Sequence, residues 1–272
     1  VIAPLLPDPS LPDPSLPEPL LTVEGLTKRY GHRRACDGIG FTLDPGEVLA
    51  VVGESGSGKS TLLSLIAGEV AAEAGSVSYR MRDGAVRDLA TLSEAERRAL
   101  MRTDWGFVRQ DATQGLRMAV SAGGNVGERL MGVGDRHYGR IRATALDWLA
   151  RVEIAADRVD DPPTRFSGGM RQRLQIARNL VTAPRLVLMD EPTSGLDVSV
   201  QARLLDMIRG LVAELGLAVI IVTHDLAVAR LLSHRVLVMR AGRVIETGLT
   251  DQVLDDPQAA YTQLLVSSVL AA

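Results

Sequence analysis

Residues 48–66 read VLAVVGESGSGKSTLLSLI. Val48 to Val52 is a short apolar run rich in valine, the pattern of a strand buried on both faces of a parallel sheet. The run breaks at Gly53. From there Gly53-Glu54-Ser55-Gly56-Ser57-Gly58-Lys59-Ser60 carries the G-x-x-x-x-G-K-S spacing of a phosphate-binding loop, with Thr61 following. Glycines let the backbone wrap an anion and turn successive N–H groups inward. Lys59 has the reach and charge for β- and γ-phosphates, and the Ser60 hydroxyl suits Mg²⁺. Leu62, Leu63 and Ile66 then mark the buried face of a helix whose N-terminus adds partial positive charge under the phosphates. A strand, loop and helix in this order imply that the chain binds a nucleoside triphosphate.

Upstream, Leu21 to Gly25 alternates like a strand, and Lys28-Arg29-Tyr30-Gly31 follows it. Phe41 to Leu43 predicts a second strand, and Asp44-Pro45-Gly46 a turn into the phosphate-loop strand. With only four tyrosines in the chain, Tyr30 near a nucleotide site is a candidate for stacking on the base. Downstream, Gly68 to Arg82 returns to short strand-like pieces. Ser93 and Glu96 have capping-box spacing for a helix to about Arg102. Trp105 to Val108 reads as a strand closed by Gln110. From Asp111 to about Pro163 the periodicity is helical, with Ala145, Leu146 and Leu149 on one apolar face.

Phe166-Ser167-Gly168-Gly169-Met170 opens a helix with Met170, Leu174, Ala177 and Val181 on one face. Ser-Gly-Gly at that place is a helix cap, and it is also a second anion nest that an NTPase has to account for. Leu186 to Met189 is a buried strand ending in Asp190-Glu191. Carboxylates at the end of a strand beside a phosphate loop suit two tasks: Asp190 holds Mg²⁺ through water, and Glu191 polarises the attacking water. Ala218 to Val222 is a further strand and delivers Thr223-His224-Asp225, where His224 has the reach to contact a γ-phosphate and orient Glu191. Val236 to Met239 and Arg243 to Thr247 flank a hairpin-like turn, and a last helix spans about Tyr261 to Leu270. His32, His137 and His234 have no metal-binding spacing.

The 272 residues carry a formal charge of -3, which gives no basic footprint for nucleic acid. Cys36 is the one cysteine, so an intrachain disulfide and a cysteine metal cluster are excluded. The apolar runs fall far short of the roughly 20 residues that cross a bilayer. No secretory leader is visible. A cytoplasmic protein is expected, peripheral to the inner membrane if it serves an importer. Residues 1–20 contain LPDPS-LPDPS-LPEPL, whose proline density predicts an extended or disordered tail.

Together these elements resemble the ATP-binding subunit of ATP-binding cassette systems, in family order from about Leu21 to Leu270. The resemblance implies an α/β fold, a P-loop NTPase of ABC ATPase type. It would have a mixed, largely parallel core sheet, an antiparallel β subdomain and an inserted helical subdomain at about residues 111–180. It implies ATP and Mg²⁺ as ligands and ATP hydrolysis as the activity. By resemblance Tyr30 is the base-stacking aromatic, residues 53–60 are the phosphate loop, and Thr61 after it joins them in binding the nucleotide. Gln110 is the glutamine that senses Mg²⁺, the attacking water and the partner surface. Phe166 to Met170 is the signature motif, Asp190 the magnesium aspartate and Glu191 the catalytic glutamate. Ser194-Gly195-Leu196-Asp197 is the dimer-contact loop and His224 the switch histidine. Two such subunits pair head to tail in that family, so Ser167, Gly168 and Gly169 of one chain would cap the γ-phosphate held by Lys59 of the other.

Phe166 and Met170 depart from the usual leucine and glutamine of the signature. Both changes are similar to the peptide and nickel importer branch, as is the ending Pro257…Tyr261-Thr262-Gln263-Leu264-Leu265. Ser121 to Leu130, Arg136 to Gly139, Ile141 to Thr144 and Leu264 to Leu270 resemble the ATP-binding proteins of the phosphonate carbon–phosphorus lyase system. That resemblance implies docking on a soluble lyase core, with this chain supplying ATP-driven conformational work. The ATPase subunit of an importer for phosphonates or peptides, working with membrane permease subunits, is the alternative. A non-hydrolysing ATP-bound adaptor is a third reading, against which Glu191 and His224 both stand.

Overall fold

The computed structural model describes residues 18–270. The proline-rich repeat therefore lies almost wholly outside the described residues. The chain opens with the strands β1 (Leu21–Tyr30), β2 (Arg33–Leu43) and β3 (Val48–Val52), then helix α1 (Lys59–Ile66). Strands β4 (Ala74–Arg80) and β5 (Val86–Asp88), helix α2 (Glu94–Thr103) and strand β6 (Trp105–Val108) follow. A helical stretch comes next: α3 (Ala112–Gly115), α4 (Ala122–Gly132), α5 (Tyr138–Arg151) and α6 (Gly168–Leu180). The remainder is β7 (Leu186–Asp190), α7 (Val198–Leu215), β8 (Ala218–Thr223), α8 (Leu226–Leu232), β9 (Arg235–Arg240), β10 (Arg243–Leu249), α9 (Thr250–Asp255) and α10 (Ala260–Leu270).

Two sheets organise these elements. One is antiparallel, in the order β2-β1-β4-β5; the other is β10-β9-β3-β8-β7-β6, parallel except for the β10–β9 pair. The apolar runs read from the sequence fall in the second sheet because it is covered on both faces. Val48, Ala50, Val52, Val187, Met189, Val219 and Ile221 pack with α6, α7 and α8 on one side. Leu49, Val51, Leu186, Leu188, Ile220 and Val222 pack with α1 and the antiparallel sheet on the other. The strand period of two thus divides one sheet between two cores.

Several elements run longer than their sequence signals. β1 continues to Tyr30 through register shifts, and Gly25 takes a φ of +58° there, so the alternation breaks where the strand bends. β2 starts at Arg33, far ahead of Phe41, because pairing with β1 holds residues that are not apolar. The capping box forms as spaced: Ser93 Oγ accepts from the Glu96 N–H, and Glu96 accepts in return from the Ser93 N–H. Cys36 is a buried small side chain whose thiol is pushed up to about 12 by burial.

Asp104, buried just before β6, joins the two sheets. It accepts from the Tyr79 hydroxyl at 2.6 Å and from Arg185 at 2.7 Å, and Arg185 also lies over the Tyr79 ring. Burial pushes the Asp104 carboxyl up, but bonds from Arg185 and Tyr79 and the charge of Arg82 outweigh it and hold it below the usual aspartate range. The antiparallel sheet is thereby fixed against the strands that end at the phosphate loop.

Candidate nucleotide site

The C-terminal ends of β3, β7 and β8 open on one side of the parallel sheet, into a cleft of about 830 Å³. Tyr30, Arg33, residues 53–56, residues 58–61, Gln110, Glu191, His224 and Leu265 line it. The phosphate loop has the shape its glycines allow. Gly53 and Gly58 adopt φ of +145° and +111°, and a Cβ there would overlap the carbonyl oxygens of Met239 and Ala35 respectively. No other residue fits either place. The loop is fastened from outside by the Gly242 N–H, which donates to the Ser57 carbonyl at 2.9 Å.

Lys59 is 5 % exposed, and its Nζ donates to the carbonyls of Gly53 at 2.7 Å and Glu54 at 2.9 Å. Burial pushes its pKa down, and the nearby carboxylates of Glu191 and Asp190 resist that shift. The ammonium is thus held at the loop by backbone oxygens, short of the hydrogen-bond capacity of three donors. Its remaining donor suits an anion.

Asp190 ends β7 and accepts from Ser60 Oγ at 3.1 Å. Burial raises its pKa and Glu191 adds to this, against the opposing hydrogen bond from Ser60. One carboxylate and one hydroxyl are hard oxygen donors, and Mg²⁺ at phosphates takes a set of this kind, filling the rest of its octahedron with phosphate oxygens and water. No cluster of three His, Cys, Asp or Glu side chains able to hold a metal occurs among the described residues.

Glu191 stands at the centre of a second set. Its Oε1 lies 3.1 Å from His224 Nδ1, and its Oε2 accepts from Gln110 Nε2 at 3.3 Å. Gln110 also donates to Ser194 Oγ at 3.2 Å. The Glu191 backbone has a φ of +41°, a strained value for a non-glycine residue, held by its N–H to the Val222 carbonyl at 2.9 Å. Its side chain is mostly covered while that of His224 is exposed. Gln110 is turned toward Glu191 and Ser194; the Ser60–Asp190 pair is bonded to itself.

Ser167, Gly168 and Gly169 do not line this cleft. Ser167 caps α6, accepting from the Met170 N–H at 3.3 Å, and both Ser167 and Gly168 are exposed. Gly168 and Leu196 share a smaller recess with Gln110 and Arg171. Asp197 caps α7, accepting from the Val200 N–H at 3.0 Å and from Ser199 at 2.8 Å. The predicted residues therefore fall into two groups on one chain: the phosphate loop with its acidic and histidine partners, and the signature, exposed at Ser167 and Gly168, with the loop before α7.

A family model described as ABC transporter matches residues 36–194. The chain belongs to the ABC transporter family. It is a P-loop ATPase that binds and hydrolyses ATP, with the core sheet and helical subdomain of that family. It is 63 % identical over 251 residues to PhnK of Escherichia coli K12, an ATP-binding protein named for phosphonates utilization; the match covers 92 % of this chain and 98 % of PhnK. An ATP-binding protein of Brucella ovis named for peptide import is 37 % identical over 265 residues, covering 92 % of this chain and 77 % of the relative. Among solved structures, the dimeric cassette MJ0796 with bound ADP and Pi superimposes with a TM-score of 0.75 at 28 % identity, covering 85 % of this chain and 98 % of that one. No helix among the described residues is long and apolar enough to cross a membrane.

The cassette also brings to the cleft residues that sequence reasoning did not assign. Arg33, at the start of β2, donates to the Gly56 carbonyl on the loop, and a Cβ at Gly56 would press on that guanidinium. Leu265 reaches the cleft from α10. Neither carries a local signal, since each depends on chain folded in from a distance. Tyr30 lines the cleft as expected and is half exposed, with Lys28 Nζ 5.6 Å from its ring centroid.

Proposed function

We propose that two copies of this cassette close head to tail around two molecules of MgATP, and that its ATP turnover drives the carbon–phosphorus lyase core in phosphonate breakdown. The observation that carries the closure is the division of the site: Lys59, Glu191, His224 and Gln110 line the cleft, while the Ser167-Gly168-Gly169 nest lies outside it, with Ser167 and Gly168 exposed and Gly169 buried. N–H groups at a helix start favour an anion, and the γ-phosphate held by a second copy would supply one. The dimeric state of MJ0796 supports the same arrangement.

In this reading Tyr30 stacks on the adenine, and Lys59 with the loop N–H groups holds the β- and γ-phosphates. Ser60 and Asp190 hold Mg²⁺, which when bound neutralises charge on the phosphate oxygens. Glu191 takes a proton from the water whose oxygen attacks the γ-phosphorus, as the bond from that phosphorus to the β-bridging oxygen breaks and ADP leaves. His224 orients Glu191 and contacts the γ-phosphate. Gln110 links Glu191 to the helical subdomain, and Asp197 shapes the dimer-contact loop by capping α7. Loss of the γ-phosphate removes the anion that joins the two nests, and the pair reopens.

Ser167→Arg places a bulky cation in the exposed nest. It is expected to leave MgATP affinity of the single chain within about twofold while lowering turnover by about 10²-fold or more, as loss of a transition-state donor does. Equilibrium nucleotide binding and steady-state phosphate release measure the two effects. Loss of binding by the single chain would put Ser167 in the wrong site.

The link to phosphonates is supported by the likeness to PhnK over nearly the whole of both chains. The cassette would act in the cytoplasm on a soluble partner. Its test is a pull-down from native lysate with Glu191→Gln held in MgATP, the co-purifying proteins being identified by mass spectrometry. Recovery of soluble lyase subunits without a permease is expected. Recovery of integral membrane permease subunits would make it an importer ATPase, the reading favoured by the Brucella relative.

A further inference from the structure

The ending Pro257…Tyr261-Thr262-Gln263-Leu264-Leu265 has no part in the catalytic scheme, yet it folds against the phosphate loop. Tyr261 is 6 % exposed, and its hydroxyl accepts the backbone N–H of Glu54 at 3.2 Å across 207 residues of sequence. Arg240 lies over the Tyr261 ring, 4.6 Å from its centroid. One turn further along α10, Leu265 lines the nucleotide cleft itself. The start of α10 is anchored in its turn. Glu246 of β10 accepts from the Gln258 N–H at 2.8 Å and the Ala259 N–H at 3.1 Å, and the loop that ends at Gly242 holds Ser57.

We infer that Tyr261 is a positioning residue for nucleotide binding: its hydroxyl fixes the Gly53–Glu54 segment whose carbonyls hold Lys59. The Glu54 residue has an exposed surface and sits where the loop leaves β3, so its backbone orientation is otherwise set by the loop alone. Its N–H is committed to Tyr261, and its C=O, with that of Gly53, accepts Lys59 Nζ. A peptide pinned on its N–H side presents its carbonyl at a fixed place. The Lys59 ammonium therefore waits in position for the anion, and ordering of the loop is not charged against binding. An apolar ring at 261 would fill the same space and leave the Glu54 N–H without this acceptor.

The inference rests on the nucleotide reading of the cleft, so the experiment compares wild type with Tyr261→Phe, which keeps the ring under Arg240 and removes one oxygen. The Tyr261→Phe protein is expected to bind MgATP about five- to tenfold more weakly, the value of one hydrogen bond. The Glu54 amide, followed by hydrogen exchange without nucleotide, should exchange about tenfold faster than in wild type. A purely packing role for Tyr261 would move neither quantity, since Phe preserves the packing. MgATP affinity equal to wild type, or weaker affinity with Glu54 exchange unchanged, would overturn the inference. Failure of the wild-type chain to bind MgATP would overturn the nucleotide reading and this inference with it, which separates the two failures.

Discussion

Replacing Glu191 with glutamine is expected to lower ATP turnover by about 10²- to 10⁴-fold, the range for loss of a general base, while MgATP still binds. The geometry sets this expectation. Both oxygens of Glu191 are held, one near His224 Nδ1 at 3.1 Å and the other by Gln110 at 3.3 Å. The backbone is kept at a strained φ of +41° by the bond to Val222. Strain of this kind costs on the order of 1–3 kcal/mol and persists only where its surroundings enforce it. Glutamine has the same shape and keeps one oxygen acceptor, but it lacks the basic carboxylate that takes the proton from water. Single-turnover phosphate release measures the loss directly. Turnover near that of wild type would remove Glu191 from the role of base.

Lys59→Ala should have the largest effect on binding, weakening MgATP by about 10²-fold, in line with the loss of charge-assisted hydrogen bonds to phosphate. Lys59 is nearly buried, its pKa is pushed down by that burial, and two loop carbonyls accept from it. Alanine leaves the carbonyls of Gly53 and Glu54 facing a polyanion with no cation between them. The apparent stability gained from saturating nucleotide should shrink with the affinity, so thermal melts with and without MgATP give a second readout. Unchanged affinity would contradict the placement of the phosphates at this loop.

Much of the site was legible because its chemistry is local. The loop at residues 53–60 and His224 follow directly on β3 and β8, the Asp190-Glu191 pair begins at the last residue of β7, and all three strands lie side by side in the order β3-β8-β7. A buried parallel strand announces itself by continuous apolar residues, and the polar residue that ends it stands at the sheet edge where ligands bind. The antiparallel sheet was harder to read. β2 spans Arg33–Leu43 with Arg33, Arg34, Asp37 and Gly38 in its first half, and only pairing with β1 makes it a strand. The 18-residue helix α7 carries Leu204, Leu205, Ile208 and Leu211 on its buried face, yet sequence analysis left it unassigned beside the loop that precedes it. Arg33 over Gly56 and Tyr261 under Glu54 had no sequence signal for their contacts, because the partners meet only after 23 and 207 residues of chain have folded.

The claim at the centre of this account is that the Ser167-Gly168-Gly169 nest and the Lys59 cleft complete one another across two copies of the chain. The solution mass of the Glu191→Gln protein, measured by light scattering with and without saturating MgATP, tests it most directly. A two-chain mass that appears only with MgATP, and that Ser167→Arg introduced into the same protein abolishes, is the predicted result. A single-chain mass at saturating MgATP would contradict it.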